Sequence, residues 1–276
     1  MSLKSPLISV ILSAYNNINW LEKTLWSYSY QSNKDFQLII ADDGSDSDVK
    51  EFIEKFKNQS AMNIFHIWQE GNGSDKAKIL NKAILAATAD YILMSEGNCL
   101  ATSDFVESHL ANRQKGYFLS GGHLKLPMDV SKIISREAIK TQQCFYKKWL
   151  RAHGLRRSFK TRKLTARGLQ AKVLNAVTTT KASWNGANSS GWKSDLLAIN
   201  GFDERMKFSG QDRELGERLI NNGVKSKQIR YSAVCLKLNQ PINPDLNDVL
   251  DKNLEIRLNS KKENRTYTEF GIKKAH

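Results

Sequence analysis

The stretch FQLIIADDGS, Phe36 to Ser45, decides how this chain is read. Its apolar run from Leu38 to Ala41 is continuous rather than alternating, the pattern of a strand buried on both faces. It ends in Asp-Asp-Gly-Ser, residue types that favour a turn. A strand covered on both sides belongs to a parallel sheet, and in such sheets the turns at the C-terminal ends of the strands face the ligand crevice. The neighbouring sequence must then supply more strands of the same kind, separated by helices.

It does. LISVILSAYNN (7–17) is an apolar, β-branched run ending in turn residues, and it reads as the first strand. Residues 18–31 place Ile18, Leu21, Leu25 and Tyr28 at helical spacing, and residues 47–57 do the same with Val49, Phe52, Ile53 and Phe56. MNIFHIW (62–68) reads as a third strand, with His66 as one of its side chains rather than a ligand. A GNGS turn (71–74), a helix over 75–88 and a fourth strand, DYILM (90–94), follow. Strand and helix alternate, the signature of a parallel sheet with right-handed crossovers. Beyond YFLSGGHLKL (117–126) the rhythm breaks. One or two basic helices are expected over 130–172, a strand-like LLAINGFDE region, a helix over 211–222, an apolar strand at 228–238, and a polar tail lying on the surface or fraying. The expected divisions are 1–126, 127–182 (a basic helical insertion), 183–240, and the tail 241–276.

No apolar run is long enough to span a bilayer, and no secretory signal precedes the first strand, so a cytoplasmic protein is expected. Cys99, Cys144 and Cys235 are odd in number and widely separated, which fits neither a zinc site nor a disulfide framework. The net charge of +14 is concentrated: residues 132–172 carry thirteen Lys and Arg against one acid, Glu137. Trp149, Leu150, Leu155 and Phe159 interleave those charges. This density points to an anionic partner, either a membrane surface or a phosphorylated lipid-linked acceptor, and hence to peripheral attachment at the inner membrane face. No motif for specific nucleic-acid recognition is present.

Three acidic turns stand out: Asp42-Asp43, Glu96-Gly97-Asn98 and Gln211-Asp212. Taken singly, each is an ordinary turn or helix cap. Taken in order, ISVILSAYN, LIIADDGSDS, ADYILMSEGNC and NGFDERMKFSGQDRELGERL resemble the family 2 glycosyltransferases of the GT-A fold, an α/β, Rossmann-like architecture. NGANSSGWKSDLLAINGFDE (185–204) resembles the galactosyltransferase-type C-terminal half of that group.

The resemblance implies inverting transfer of a sugar from a nucleotide-sugar donor, with UDP as the nucleotide. The implied acceptor is a glycan or lipid-linked molecule in surface polysaccharide or lipopolysaccharide synthesis. The rival reading is a catalytically silent nucleotide- or carbohydrate-binding protein on the same fold. By resemblance Ser13 and Tyr15 meet the nucleotide, and Asp42 or Asp43 reads its base or ribose. Lys78 and Asn81 fall where the family often has an Arg-Asn pair. Gly186, Asn188 and Trp192 fall on the acceptor side, with Asp203 and Glu204 nearby. Asp212 matches the general base, although Gln211 stands where the family has Glu. For Arg213 and Arg218, on the same helix, a surface or ion-pair role is the default reading, with contact to the leaving phosphates as the alternative.

Two departures matter. Glu96-Gly97-Asn98 replaces the Asp-x-Asp whose carboxylates hold Mg²⁺ or Mn²⁺ against the diphosphate. Lys237 falls where a metal-binding His often follows the last strand. Three readings stay open: a metal held weakly by Glu96, Asn98 and waters; Lys237 in the metal's place; or a site that only binds.

Overall fold

Every residue of the strand Phe36–Asp42 is buried in the computed structural model, which describes residues 5–240 and 247–274. Its neighbour Ile8–Ala14 is buried over its first five residues, whereas Asn63–Trp68, at the sheet edge, is largely exposed or half-buried. The strands are β1 (Ile8–Ala14), β2 (Phe36–Asp42), β3 (Asn63–Trp68), β4 (Tyr91–Glu96), β5 (Cys99–Ala101), β6 (Tyr117–Ser120), β7 (Gly122–Lys125), β8 (Ser189–Trp192), β9 (Lys225–Gln228) and β10 (Val234–Lys237). The α-helices are α1 (Ile18–Ser29), α2 (Ser47–Gln59), α3 (Lys76–Ala86), α4 (Phe105–Asn112), α5 (Met128–Ile133), α6 (Arg136–Lys140), α7 (Lys147–Ala152), α8 (Gly168–Ala176), α9 (Lys193–Ala198), α10 (Gln211–Asn221) and α11 (Asn247–Lys262).

The main sheet runs β3-β2-β1-β4-β8-β6-β9. Strands β1 to β4 are mutually parallel, as the alternation requires, and β8 runs antiparallel to β4 and β6. One face is covered by α1, α2 and α4, where Leu12, Leu25, Tyr28, Leu38 and Phe105 meet. The other is covered by α3, α9 and α10, where Ile11, Ile39, Leu80, Trp184 and Leu215 meet. Burying one such aliphatic side chain contributes about 1.5–3 kcal/mol. A second sheet, β5-β10-β7, lies beside it. Helix α1 begins at Asn17, whose side chain accepts from the Trp20 amide and satisfies one of the otherwise unpaired first-turn N–H groups.

Three expectations change. LLAINGFDE is not a strand: Leu196 belongs to α9, and left-handed backbone at Asn200 and Gly201 ends that helix. Its apolar residues Leu196, Ile199 and Phe202 recur at helical rather than alternating spacing. The basic region is not one or two helices but a run of short pieces, α5 to α8 with two 3₁₀ turns between them. All but α8 send apolar side chains onto the second sheet, and Val130, Ile134, Ile139, Leu150 and Leu164 pack with Leu124 and Leu236. The described part of the tail does not fray. Helix α11 packs on α10, with Arg257 gripping Glu217 through paired bonds of 2.8–3.1 Å and the Ser260 hydroxyl donating to Glu214 at 2.9 Å. Residues 241–246, 275 and 276 of the expected tail lie outside the described residues.

Candidate active site

Register brings the strand ends level. Ala14 pairs with Asp42 and Ser13 with Glu96, so β1, β2 and β4 stop together where β1 separates neighbours on either side. Crevices of open α/β sheets form at such a point. Here a cleft of about 390 Å³ opens, lined by Ser13, Tyr15, Asp43, Glu96, Lys237 and Phe208 among others.

The two adjacent aspartates of the first turn have different jobs. Asp42 is fully buried; its Oδ2 lies 3.0 Å from His66 Nε2 and its Oδ1 accepts from the Ser45 amide at 2.9 Å. Asp42 therefore holds the turn and does not meet the cleft, which corrects its candidacy as a donor ligand. Asp43 faces the cleft at 3% exposure. Gln69 donates to its Oδ1 at 2.6 Å, while its Oδ2 is buried without a partner. Burial pushes its pKa up. An unpaired buried acceptor beside a cleft is ready for a ligand's N–H or hydroxyl. The turn needs Gly44, whose φ is +91° and where a Cβ would come within 2.1 Å of the Gly71 carbonyl oxygen. Tyr15, in the same wall, lays its ring against Gly73.

At the second turn, Glu96 is held by two ammonium groups. Lys76 Nζ donates to Oε1 at 3.0 Å, and Lys237 donates to Oε2. Burial alone would raise the Glu96 pKa, but the two lysines outweigh it and hold the carboxyl at about 2. The same pairing pushes the Lys237 ammonium up against its own desolvation. Asn98 Nδ2 donates to the Leu238 carbonyl at 3.3 Å and to Gln240 Oε1 at 3.2 Å, tying the turn to the end of β10. This donor set does not fit Mg²⁺ or Mn²⁺, which require several oxygen ligands. Both Glu96 oxygens face lysines, the scaffold bonds of Asn98 leave it one neutral oxygen, Oδ1, beside the Cys99 thiol at 3.6 Å, and no group of three His, Cys, Asp or Glu stands ready among the described residues.

Asp212, in the first turn of α10, closes the site. Its Oδ2 accepts from the Gly186 amide at 2.8 Å and its Oδ1 from the Arg213 amide at 2.9 Å. A methyl group placed on Gly186 would lie 3.5 Å from Glu96 Oε1, 3.5 Å from Lys76 Nζ and 3.7 Å from Asp212 Oδ2. Two distant acidic turns thus converge on one point, with Asp43 lining the adjoining cleft. The loop before α10 is stapled from α11: Asn253 Nδ2 donates to the carbonyls of Lys207 at 2.7 Å and Ser209 at 2.8 Å. Between those two carbonyls, Phe208 has a φ of 59° and lines the cleft. A non-glycine residue holds such a conformation only when its surroundings enforce it.

Several expected ligands are placed elsewhere. Lys78 is exposed on α3; Lys76, two residues earlier, reaches the cleft, and no spacing rule singled it out. Asn81 is buried and tied to Phe202 in both directions, at 2.9 and 2.7 Å. Asn188 is fully buried, its amide shared among His109 and the Gly122 and Ala233 carbonyls, so it has nothing left for an acceptor. Trp192 pairs with Tyr91, at the end of β4 opposite Glu96. Because β8 runs antiparallel to β4, Gly186 and Trp192 lie at opposite ends of the sheet. As the default reading expects, Arg218 is an ion-pair residue, buried on Glu214 and the carbonyls of Ile199 and Gly201, and Arg213 is a surface residue. Asp203 is held by Arg205, and Glu204 accepts from Asn81.

Residues 9–169 match the sequence profile of Glycosyl transferase family 2. Over 112 residues the chain is 31% identical to the uncharacterized glycosyltransferase RC0461 of Rickettsia conorii, covering 41% of this chain and 18% of that protein. Over 108 residues it is 28% identical to validoxylamine A glucosyltransferase of Streptomyces hygroscopicus subsp. jinggangensis, covering 38% of this chain and 25% of that enzyme. The chain thus spans a quarter or less of the length of these relatives. S. aureus TarS 1-349 in complex with UDP-GlcNAc has a TM-score of 0.57 at 14% identity, covering 93% of this chain and 69% of that one, and the fold is shared.

Proposed function

The chain belongs to glycosyl transferase family 2, with a GT-A-like α/β fold, and from that premise we propose that it is an inverting glycosyltransferase using a nucleotide-sugar donor. The observation that carries this reading is the convergence of Glu96, Lys76 and Asp212 on the space beside Gly186, at the mouth of the cleft that Asp43 lines. In the reaction the acceptor hydroxyl gives its proton to Asp212 as its oxygen attacks the anomeric carbon. The bond from that carbon to the phosphate oxygen breaks, and its electron pair leaves on the diphosphate. Tyr15 offers a ring to the base, and the free Oδ2 of Asp43 accepts from base or ribose.

UDP is the favoured nucleotide, supported by the family resemblance and by the UDP-GlcNAc bound to the TarS relative in fold. The galactosyltransferase-type reading of residues 185–204 gives a hexose as the sugar. It rests on the resemblance of that stretch alone. The acceptor is proposed to be a glycan or lipid-linked molecule of surface polysaccharide or lipopolysaccharide synthesis, met at an anionic membrane face by the basic segment. Arg151, Arg157 and Arg162 line a shallow groove there, and the Phe159 side chain is 90% exposed among them. No described helix is long and apolar enough to cross a membrane.

Asp212→Asn tests the reading. Turnover of a panel of UDP-sugars should fall about 10²–10⁴-fold, the usual worth of a positioned base, while calorimetric donor affinity is retained. Wild-type protein that binds UDP-sugars and consumes none, with water or a glycan as acceptor, would leave the silent-binder alternative in its place.

A further inference from the structure

We propose that Lys76 and Lys237 together take the place of the divalent cation, receiving the donor's diphosphate directly, so that donor binding and transfer run without a metal ion. The inference rests on the nucleotide-sugar reading and deepens it. Lys76 opens α3 on one wall of the cleft, and Lys237 closes β10 on another. They meet on separate oxygens of one carboxylate, although Lys237 and Glu96 are 141 positions apart in the chain.

The charge around them favours an anion. The cleft is lined by Lys76, Lys125 and Lys237 against Asp43 and Glu96. A divalent ion approaching Glu96 would meet two ammonium groups at the carboxylate where it would dock; a diphosphate would find those groups already gathered. Lys125 is the register neighbour of Lys237 on the adjacent parallel strand, which adds a third positive charge to the same wall. Glu96 then acts as a positioning residue. Without it the lysines would repel one another and turn to solvent; with it they stand where negative charge develops as the anomeric bond breaks. Groups oriented before the reaction need no rearrangement during it. Each ammonium has three donors, so it can keep Glu96 while bonding phosphate.

The test uses UDP as the probe and uridine as the control, titrated calorimetrically into the full chain in EDTA and then in excess Mn²⁺. UDP affinity should be the same in both. Lys76→Gln and Lys237→Gln should each weaken UDP by about tenfold or more, a loss of ~1.4 kcal/mol, and leave uridine affinity unchanged, which also verifies folding. UDP-sugar turnover in these variants should fall about 10²–10³-fold. Lys237→His should create a Mn²⁺ dependence that the wild type lacks, because imidazole is a metal ligand and the variant frees one oxygen of Glu96. A gain in wild-type UDP affinity of about tenfold or more on adding Mn²⁺ would overturn the proposal, as would UDP binding indifferent to both lysine variants. Lysine-dependent UDP binding without consumption of any UDP-sugar would sink the transfer reading alone and leave the clamp standing. If no nucleoside diphosphate binds, both fail.

Discussion

The parallel half, β1 to β4, and the basic region, α5 to α8, both bury apolar side chains, but they treat charge in opposite ways. In the parallel half, charged groups gather at the strand ends and are paired there, as Glu96 is with Lys76 and Lys237. In the basic region the apolar side chains of Val130, Ile139 and Leu150 face the second sheet, and the charges are left outside. Among the described residues, none of the lysines and arginines of 132–172 forms an ion pair. Leu169 and Val177 stand exposed near them, as does Phe159. Charge is neutralised where it holds the geometry of the cleft and left solvated in the basic region.

The sharpest way to break this comparison is to ask whether the basic region is part of the fold or hung upon it. Leu12→Ala in β1 and Leu150→Ala in α7 both remove fully buried side chains. Each should lower unfolding free energy by about 2–5 kcal/mol in denaturant titrations. A loss at Leu150 below about 0.5 kcal/mol, the range of ordinary surface changes, would make the region an appendage.

Acid sensitivity is built into both sheets: His109 of α4 is packed against β8 of the main sheet, and His123 of β7, in the second sheet, also has its pKa lowered to about 4 by desolvation. His109 is fully buried between Ser190 and Asn188, and burial lowers its pKa to about 4 from 6.5. The unfolded chain therefore takes up a proton below pH 6.5 that the folded protein refuses until about pH 4. Stability should fall through that window by roughly 3 kcal/mol in all. Glu96, held at about 2 against 4.5, has its stabilising effect above pH 4.5 and loses it as pH falls towards 2. Melting curves of His109→Gln should be flatter between pH 6.5 and 4 than those of the wild type; an unchanged slope would remove His109 as the cause.

The smallest stability effect is expected where the charges are free. Lys148→Glu, Arg156→Glu and Arg157→Glu should each shift stability by less than about 0.5 kcal/mol. Flotation on anionic vesicles should weaken by about 1 kcal/mol for each positive charge lost. Equal flotation of the wild type on neutral and anionic vesicles would remove the membrane as the partner.

How much was legible follows from the range of each signal. The four parallel strands and helix α10 came from local runs, and the candidacies of Asp43, Glu96, Lys237 and Asp212 from the family resemblance that the ordered motifs carry. Lys76 was missed in favour of Lys78, because which of two lysines reaches the cleft depends on helix phase, and two residues turn a helix by about 200°. Asn188 and Trp192 sat in the right stretch, but strand direction sent them into the core and to the far end of the sheet. In the polar tail Leu250, Leu254 and Leu258 recur at helical spacing, but that stripe stays exposed and is not what docks the helix. Its anchors, Asn253, Arg257 and Ser260, are polar groups that gain meaning only opposite α10 and the loop before it.

By itself the sequence determined the alternation of strand and helix, the parallel sheet and the polar turns at its strand ends, because burial on two faces and turn chemistry act over a few residues. Only the tertiary structure decided that Lys76 and Lys237 share one carboxylate, that Asn253 pins the loop leading to Asp212, and that Asp43 rather than Asp42 faces the cleft. Those contacts join segments far apart in the chain, and hydrogen-bond and ion-pair energies depend on distance and orientation in space, which no local pattern of residue types records.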